Sequence, residues 1–168
     1  MISQTAEYAL RVIVHLAAQN GVPVTTHQLA LATQVPEGYL SKVIQGLSRA
    51  GLIRSQRGLH GGSVLLRAPT DISIHDVVES VDPIKRIRSC PLNLKSHGSG
   101  LCPLHRRLDA AMEQVEQAFR DSTIADLLAE PTSSKPLCDG SAEPAGAPVS
   151  KPVALALPKS RRSGRRRR

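Results

Sequence analysis

Two of the chain's three cysteines, Cys90 and Cys102, share the stretch SCPLNLKSHGSGLCPLH (Ser89–His105) with two of its six histidines, His97 and His105. Thiolates and neutral imidazoles are the side chains that ligate zinc and iron, and a spaced thiol pair is equally the material of a redox couple. A third possibility is a loop whose cysteines do no chemistry. Three cysteines are too few for a disulfide framework in 168 residues, and the N-terminal stretch lacks a secretory pattern. Its apolar run is broken by Glu7, Arg11 and His15, so it lacks the continuity of a membrane span. A reducing, cytoplasmic setting with no membrane partner is therefore expected. In such a setting spaced cysteines bind metal or do redox chemistry more often than they form structural bridges.

The elements that must position these residues are mostly helical. Tyr8, Ala9, Val12, Ile13, Leu16 and Ala17 give Ser3–Asn20 an apolar face at helical spacing. Thr25 or Thr26 then supplies an N-cap for a short second helix through about Thr33. Pro36 suits the first turn of a third, in which Leu40, Val43, Ile44 and Leu47 form the buried stripe. Ser41, Lys42, Gln45, Ser48 and Arg49 fall on its other face, and Gly51 ends it. LIRSQRGLHGGSVLLRAP reads as two short strands around a glycine-containing turn. Ser73 and Asp76 form a capping box for IHDVVESV. A long helix over about Pro103–Arg120 carries Leu104, Leu108, Met112, Val115 and Phe119 in a narrow stripe that seeks a partner helix, and STIADLL gives a last short one. From Pro131 onward six prolines are mixed with Ser, Ala and Gly, the end reads PKSRRSGRRRR, and disorder is expected, with Cys138 incidental.

Three short helices followed by a hairpin is the order of a winged helix-turn-helix, whose third helix enters the major groove of double-stranded DNA. The net charge of +8 does not itself argue for this, because residues 1–130 hold 13 Lys/Arg against 12 Asp/Glu and the excess sits in the tail. The local charge does: residues 38–70 contain Lys42, Arg49, Arg54, Arg57 and Arg67 and no acid. Tyr39, Ser41, Lys42 and Gln45 are placed to reach base edges or phosphates. The competing reading is a solvated helix face in a protein-interaction module that does not bind DNA sequence-specifically. No motif points to an oxyanion hole or a substrate site, so no enzyme is expected. The arginine-rich end reads as an arm that raises non-specific DNA affinity.

The motifs Tyr39-Leu40, Ala50-Gly51-Leu52, Arg57-Gly58-Leu59-His60-Gly61-Gly62 and Ile72-Ser73-Ile74-His75-Asp76-Val77-Val78 occur in order, with EYAL at Glu7–Leu10 and STIADLL near residue 129. In this the chain resembles the Rrf2 family of bacterial winged-helix transcription regulators, the IscR/NsrR-like proteins. Ser63 departs from the pattern, standing where an aromatic residue usually follows the paired glycines. The resemblance implies a homodimer joined by the long helix, a roughly palindromic operator, and Arg57 entering the minor groove from the wing. Gly58, Gly61 and Gly62 would let the turn approach DNA, and His60 is a further candidate for a phosphate. The fold class expected is mainly α with a small β-hairpin wing. It divides into a winged helix-turn-helix (1–82), a Cys/His sensor loop with a dimerisation helix (83–130), and a disordered tail (131–168).

The resemblance also implies a sensor built on three cysteines with five residues between neighbours and a histidine three residues past the last. Cys90 and Cys102 match the outer two and His105 the histidine, while Ser96 replaces the middle cysteine beside His97. Glu7 is a further candidate, since some relatives recruit an acidic residue from the partner's first helix. A [2Fe-2S] cluster on Cys90, Cys102, His105 and His97 or Glu7 is the leading expectation, with a response to redox state, nitric oxide or cluster loss. Zinc and a metal-free thiol pair are the alternatives.

Overall fold

The computed structural model describes residues 2–56, 58, 61–90 and 100–131. The expected tail beyond Pro131, and with it the arginine arm, lies outside the described residues, as do Arg57, His60 and His97. The described residues form six α-helices and one two-stranded hairpin.

The first helix, α1 (Gln4–Ala18), is capped by Ser3, whose hydroxyl accepts from the Ala6 amide. It ends before Asn20 and Gly21, both at positive φ, two residues short of the end read from periodicity. α2 (Thr26–Thr33) starts at a full capping box between Thr25 and Gln28. α3 (Glu37–Arg49) begins after Pro36, with no side-chain cap, and α2 hands over to it through Gln34 in the left-handed region. Ala9, Val12, Ile13 and Leu16 of α1 meet Leu29 of α2 and Leu40, Val43 and Leu47 of α3 in one apolar core. Ile44 packs at its edge. These are the i, i+3, i+4, i+7 positions the patterning selects.

β1 (Ile53–Gln56) and β2 (Gly62–Leu65) pair antiparallel, Ile53 opposite Leu65 and Gln56 opposite Gly62. The hairpin is fastened to the link between α1 and α2: Val24 and Ser63 exchange two backbone hydrogen bonds, at 3.1 and 2.8 Å. That bridge explains Gly62. A Cβ there would stand 2.8 Å from the Val24 carbonyl oxygen, so the close approach is open to glycine alone. Ser63 is buried, and its hydroxyl lies 2.9 Å from that of Ser55 across the ladder. A polar pair thus occupies the place where the family pattern usually has an aromatic residue.

A 3-10 turn (Pro69–Asp71) leads to α4 (Ile74–Val81), which starts at the Ser73–Asp76 capping box. Gly46 lets α3 lie close to α4, since a Cβ on it would be 2.9 Å from Val81. α5 (Pro103–Arg120) has the bounds read from the sequence, and α6 (Ile124–Ala129) begins at a third capping box, Thr123–Asp126. The Ile124 amide bonds the Ile72 carbonyl, returning the chain to the domain, and Ile124 is fully buried. No residue of α5 is fully buried.

Replacing Gly62 by alanine forces the hairpin off Val24. Overpacking of this kind costs about 1–3 kcal/mol, so urea unfolding of Gly62→Ala should show a lower midpoint with an unchanged slope.

Candidate DNA interface and Cys/His site

On α3, Ser41, Lys42, Gln45 and Arg49 are exposed on one face, as the patterning requires. Ser48, expected on that face, is half-buried, with its hydroxyl oxygen enclosed and without a hydrogen-bond partner. Tyr39 is more engaged than the sequence suggested. Its hydroxyl lies 2.8 Å from that of Thr5, and its ring meets Tyr8 edge-on with centroids 5.6 Å apart. The Lys42 ammonium sits 6.0 Å above the Tyr39 ring. Two tyrosines and a threonine therefore tie the uncapped start of α3 to α1.

Arg11 performs the matching task for α2. It donates to the carbonyl of Thr33, the last residue of that helix, where a cation offsets the exposed carbonyls. Glu7 holds Arg11 in place through a 2.7 Å hydrogen bond. The Glu7–Arg11 spacing is a local signal legible in sequence, whereas the Tyr8–Tyr39 and Thr5–Tyr39 contacts span more than thirty positions and have none.

In the wing, Gly58 is exposed at φ +116° and accepts from the Gly61 amide at 2.8 Å, forming the turn. Gly61 and Gly62 are half-buried, and Gly62 serves the Val24 contact described above. Arg54 is exposed on β1. Arg67, counted among the local basic residues, turns instead toward the start of α4, with Asp76 at 3.8 Å and the Asp71 carbonyl as partners.

The Cys/His site forms at the start of α5. Cys102 is the N-cap and Pro103 the first helical residue, which places His105 one turn on. Its Nδ1 lies 3.2 Å from the Cys102 sulphur and 3.9 Å from that of Cys90, a buried residue at the end of the segment that follows α4. A tetrahedral ion with sulphur at ~2.3 Å and nitrogen at ~2.0 Å would hold these atoms about 3.5 Å apart, between the two observed values. Two thiols and an imidazole are the donor types of a thiophilic metal centre, but as placed the three do not close around an ion. Among the described residues no group of three or more His, Cys, Asp or Glu encloses a point where an ion would sit. Glu7 does not join the trio; its carboxylate is committed to Arg11.

α5 turns its stripe outward: Leu104, Leu108, Met112 and Val115 are all exposed. Leu108, Met112 and Val115 line a groove of about 840 Å³ completed by Ile2, Val78 and Ile87. Below the stripe, Arg86 forks onto Asp109 at 2.7 Å through both oxygens. The Asp109 carboxyl is held below its ordinary value by that hydrogen bond, against burial, with help from the Ile87 amide.

A helix-turn-helix with a hairpin wing fastened to it, followed by a long helix bearing a Cys/His cluster, defines a winged-helix DNA-binding transcription regulator. Residues 2–130 match the Rrf2 family, described as iron-dependent transcriptional regulators, and the chain belongs to that family. It is 37% identical over 131 residues to an HTH-type transcriptional regulator of Mycobacterium tuberculosis, covering 75% of this chain and 80% of that protein. It is 30% identical over 142 residues to the HTH-type regulator NsrR of Geobacillus kaustophilus, covering 81% and 95%. Among solved structures, CymR, the global cysteine regulator of B. subtilis, superposes with a TM-score of 0.61 at 25% identity, over 76% of this chain and 95% of that one. IscR of T. potens shares the fold, with a TM-score of 0.63 at 24% identity over 79% and 88%. Among the described helices none is long and apolar enough to cross a membrane.

Two outcomes follow. Thr5→Val leaves the exposed face of α3 untouched but removes the bond to Tyr39. A hydrogen bond of this kind contributes about 0.5–1.5 kcal/mol, so anisotropy titrations should show a several-fold loss of affinity for a preferred duplex and a smaller one for random DNA. Because the folded carboxyl of Asp109 is depressed, its contribution to stability is present above the ordinary value of 3.8 and is lost as pH falls through the lower folded value. Urea unfolding of wild type and Asp109→Asn should therefore differ at pH 6 and draw together as the pH falls below the ordinary carboxylate value of 3.8.

Proposed function

We propose that this regulator acts as a homodimer, reads a roughly palindromic operator with α3 and the wing, and senses through Cys90, Cys102 and His105. The observation that carries the sensor reading is the convergence of two thiols on one imidazole nitrogen in the first turn of α5. The family's iron-dependent character favours iron over zinc, and the leading candidate is a [2Fe-2S] cluster on mixed thiolate and imidazole ligands. Bound there, such a cluster would supply a one-electron redox couple. Cys102 holds its sulphur at the N-terminal end of α5, as the residue that caps the helix. His105 contributes a neutral donor, and Cys90 brings the third ligand from the other side. His97 is the candidate for the fourth position. Glu7 of a second copy is the other candidate, at the cost of its bond to Arg11.

On the DNA side, Tyr39, Ser41, Lys42 and Gln45 face the major groove in this reading, while Arg57, Gly58, His60, Gly61 and Gly62 serve the wing. Lys42 and Arg49 neutralise phosphates, and the arginine-rich end adds affinity without sequence preference. The exposed stripe of α5 is the surface that joins the two copies. Because α5 carries both that stripe and the first ligands, a change of ligand state alters the geometry in which two recognition helices are presented.

Anaerobic purification followed by an absorbance spectrum and iron, zinc and sulphide analysis tests the sensor. A coloured protein with about two irons and two sulphides per chain is expected, reduced to trace levels in Cys102→Ala. One zinc per chain without sulphide would replace the cluster by zinc, and a colourless, metal-free protein would contradict both. Deleting 131–168 should weaken binding to all duplexes alike and flatten the salt dependence; an altered operator preference would refute the arm.

A further inference from the structure

Between α4 and the Cys/His site, residues 82–90 have no regular structure and lie along α5 as a strap. One guanidinium fixes where the strap sits. Arg86 donates from Nε and Nη2 to the two oxygens of Asp109, each at 2.7 Å, and reaches Glu113 at 3.5 Å and Glu116 at 3.4 Å. The backbone N–H of Ile87 donates to the same Asp109 carboxylate at 2.9 Å. Both side chains are about four-fifths buried, 21% and 19% exposed. Glu116 is braced from its other side by Arg120 and by His75 of α4.

The spacing gives this clamp a consequence. Asp109 lies one turn beyond His105 on the same face of α5, and Cys90 lies four residues beyond Arg86 on the strap. When the fork is seated on Asp109, the strap runs back along the helix and brings the Cys90 sulphur to His105. The apolar side chains of the strap, Ile84 and Ile87, line the groove beside α5, and apolar contact is non-directional. A planar fork on a carboxylate accepts one geometry only, so it can specify register where apolar contact does not.

We propose that Arg86 is a positioning residue for the sensor: its fork on Asp109 sets the register of the strap on α5 and so delivers the Cys90 sulphur to His105. The proposal deepens the sensor reading and rests on it for its functional meaning, though the register itself is independent of which metal binds. Lysine keeps the charge of Arg86 but not the fork, so Arg86→Lys is expected to behave as a loss of position.

The test uses the full chain, anaerobic and metal-free, alkylated with iodoacetamide, with Cys90 and Cys102 followed separately by peptide mass spectrometry. Cys90 is buried and should react slowly in the wild type. In Arg86→Ala and Arg86→Lys its rate should rise about tenfold or more, with Cys102 nearly unchanged and the thermal melt still cooperative. A parallel titration with cobalt(II) alone reads the ligands. The wild type should give a sulphur-to-cobalt charge-transfer band that loses about half its intensity in either variant, matching that of Cys90→Ala. Wild-type alkylation rates in both variants would overturn the proposal. So would equal acceleration of the two cysteines, which marks general loosening. If the wild type fails to bind cobalt while Cys90 alone is unmasked, the register stands and the metal-sensor reading fails.

Discussion

The long helix is attached to its own domain by charge, and its apolar side is left over. None of the 18 residues of α5 is fully buried, while Arg86, Asp109, Glu116, His75 and Arg120 bind it to the strap and to α4. Helices draw most of their stability from packing an apolar face, and Leu104, Leu108, Met112 and Val115 leave such a face exposed on α5. In the proposed dimer a second copy covers it. The charged network then has a different task from stabilisation: it decides which face of α5 remains free and where the strap crosses it.

The first two turns of α1 give that arrangement a short path to DNA. Ile2, Ser3 and Ala6 line the same groove as Leu108 and Met112, while Thr5 and Tyr8, on the neighbouring face, hold Tyr39 at the start of α3. α3 has no side-chain cap of its own, so these contacts fix its N-terminal end. Packing at the groove and presentation of α3 therefore share one rigid element, the kind of physical connection that coupling between a sensor and a DNA surface requires.

Much of this was legible in the sequence because much of it is local. The caps at Thr25 and Ser73, the buried stripe of α3, and the bounds and outward stripe of α5 follow from spacings of three and four residues. The family motifs pointed to the wing and to the Cys/His stretch, and His105 Nδ1 lies 3.2 Å from the Cys102 sulphur and 3.9 Å from that of Cys90. What escaped were polar contacts between distant segments: Arg86 with Asp109, Tyr39 with Thr5, Val24 with Ser63. Nothing local distinguishes Arg86 from Lys85 or Arg88 until the strap lies on α5. Likewise Arg67 looked like a phosphate ligand until Asp71 and Asp76 came within its reach. Gly62 has a further task that spacing does not reveal, making room for the Val24 carbonyl.

The claim on which the rest turns is that the uncovered face of α5 belongs to a second copy of the chain. Sedimentation equilibrium of the full chain, at concentrations where it saturates a labelled duplex, measures this directly. A homodimer gives the mass of two 18.0 kDa chains, falling to one when Met112 and Val115 are both replaced by glutamate, with DNA affinity lost in step. A single-chain mass for the wild type at DNA-saturating concentrations would contradict the claim.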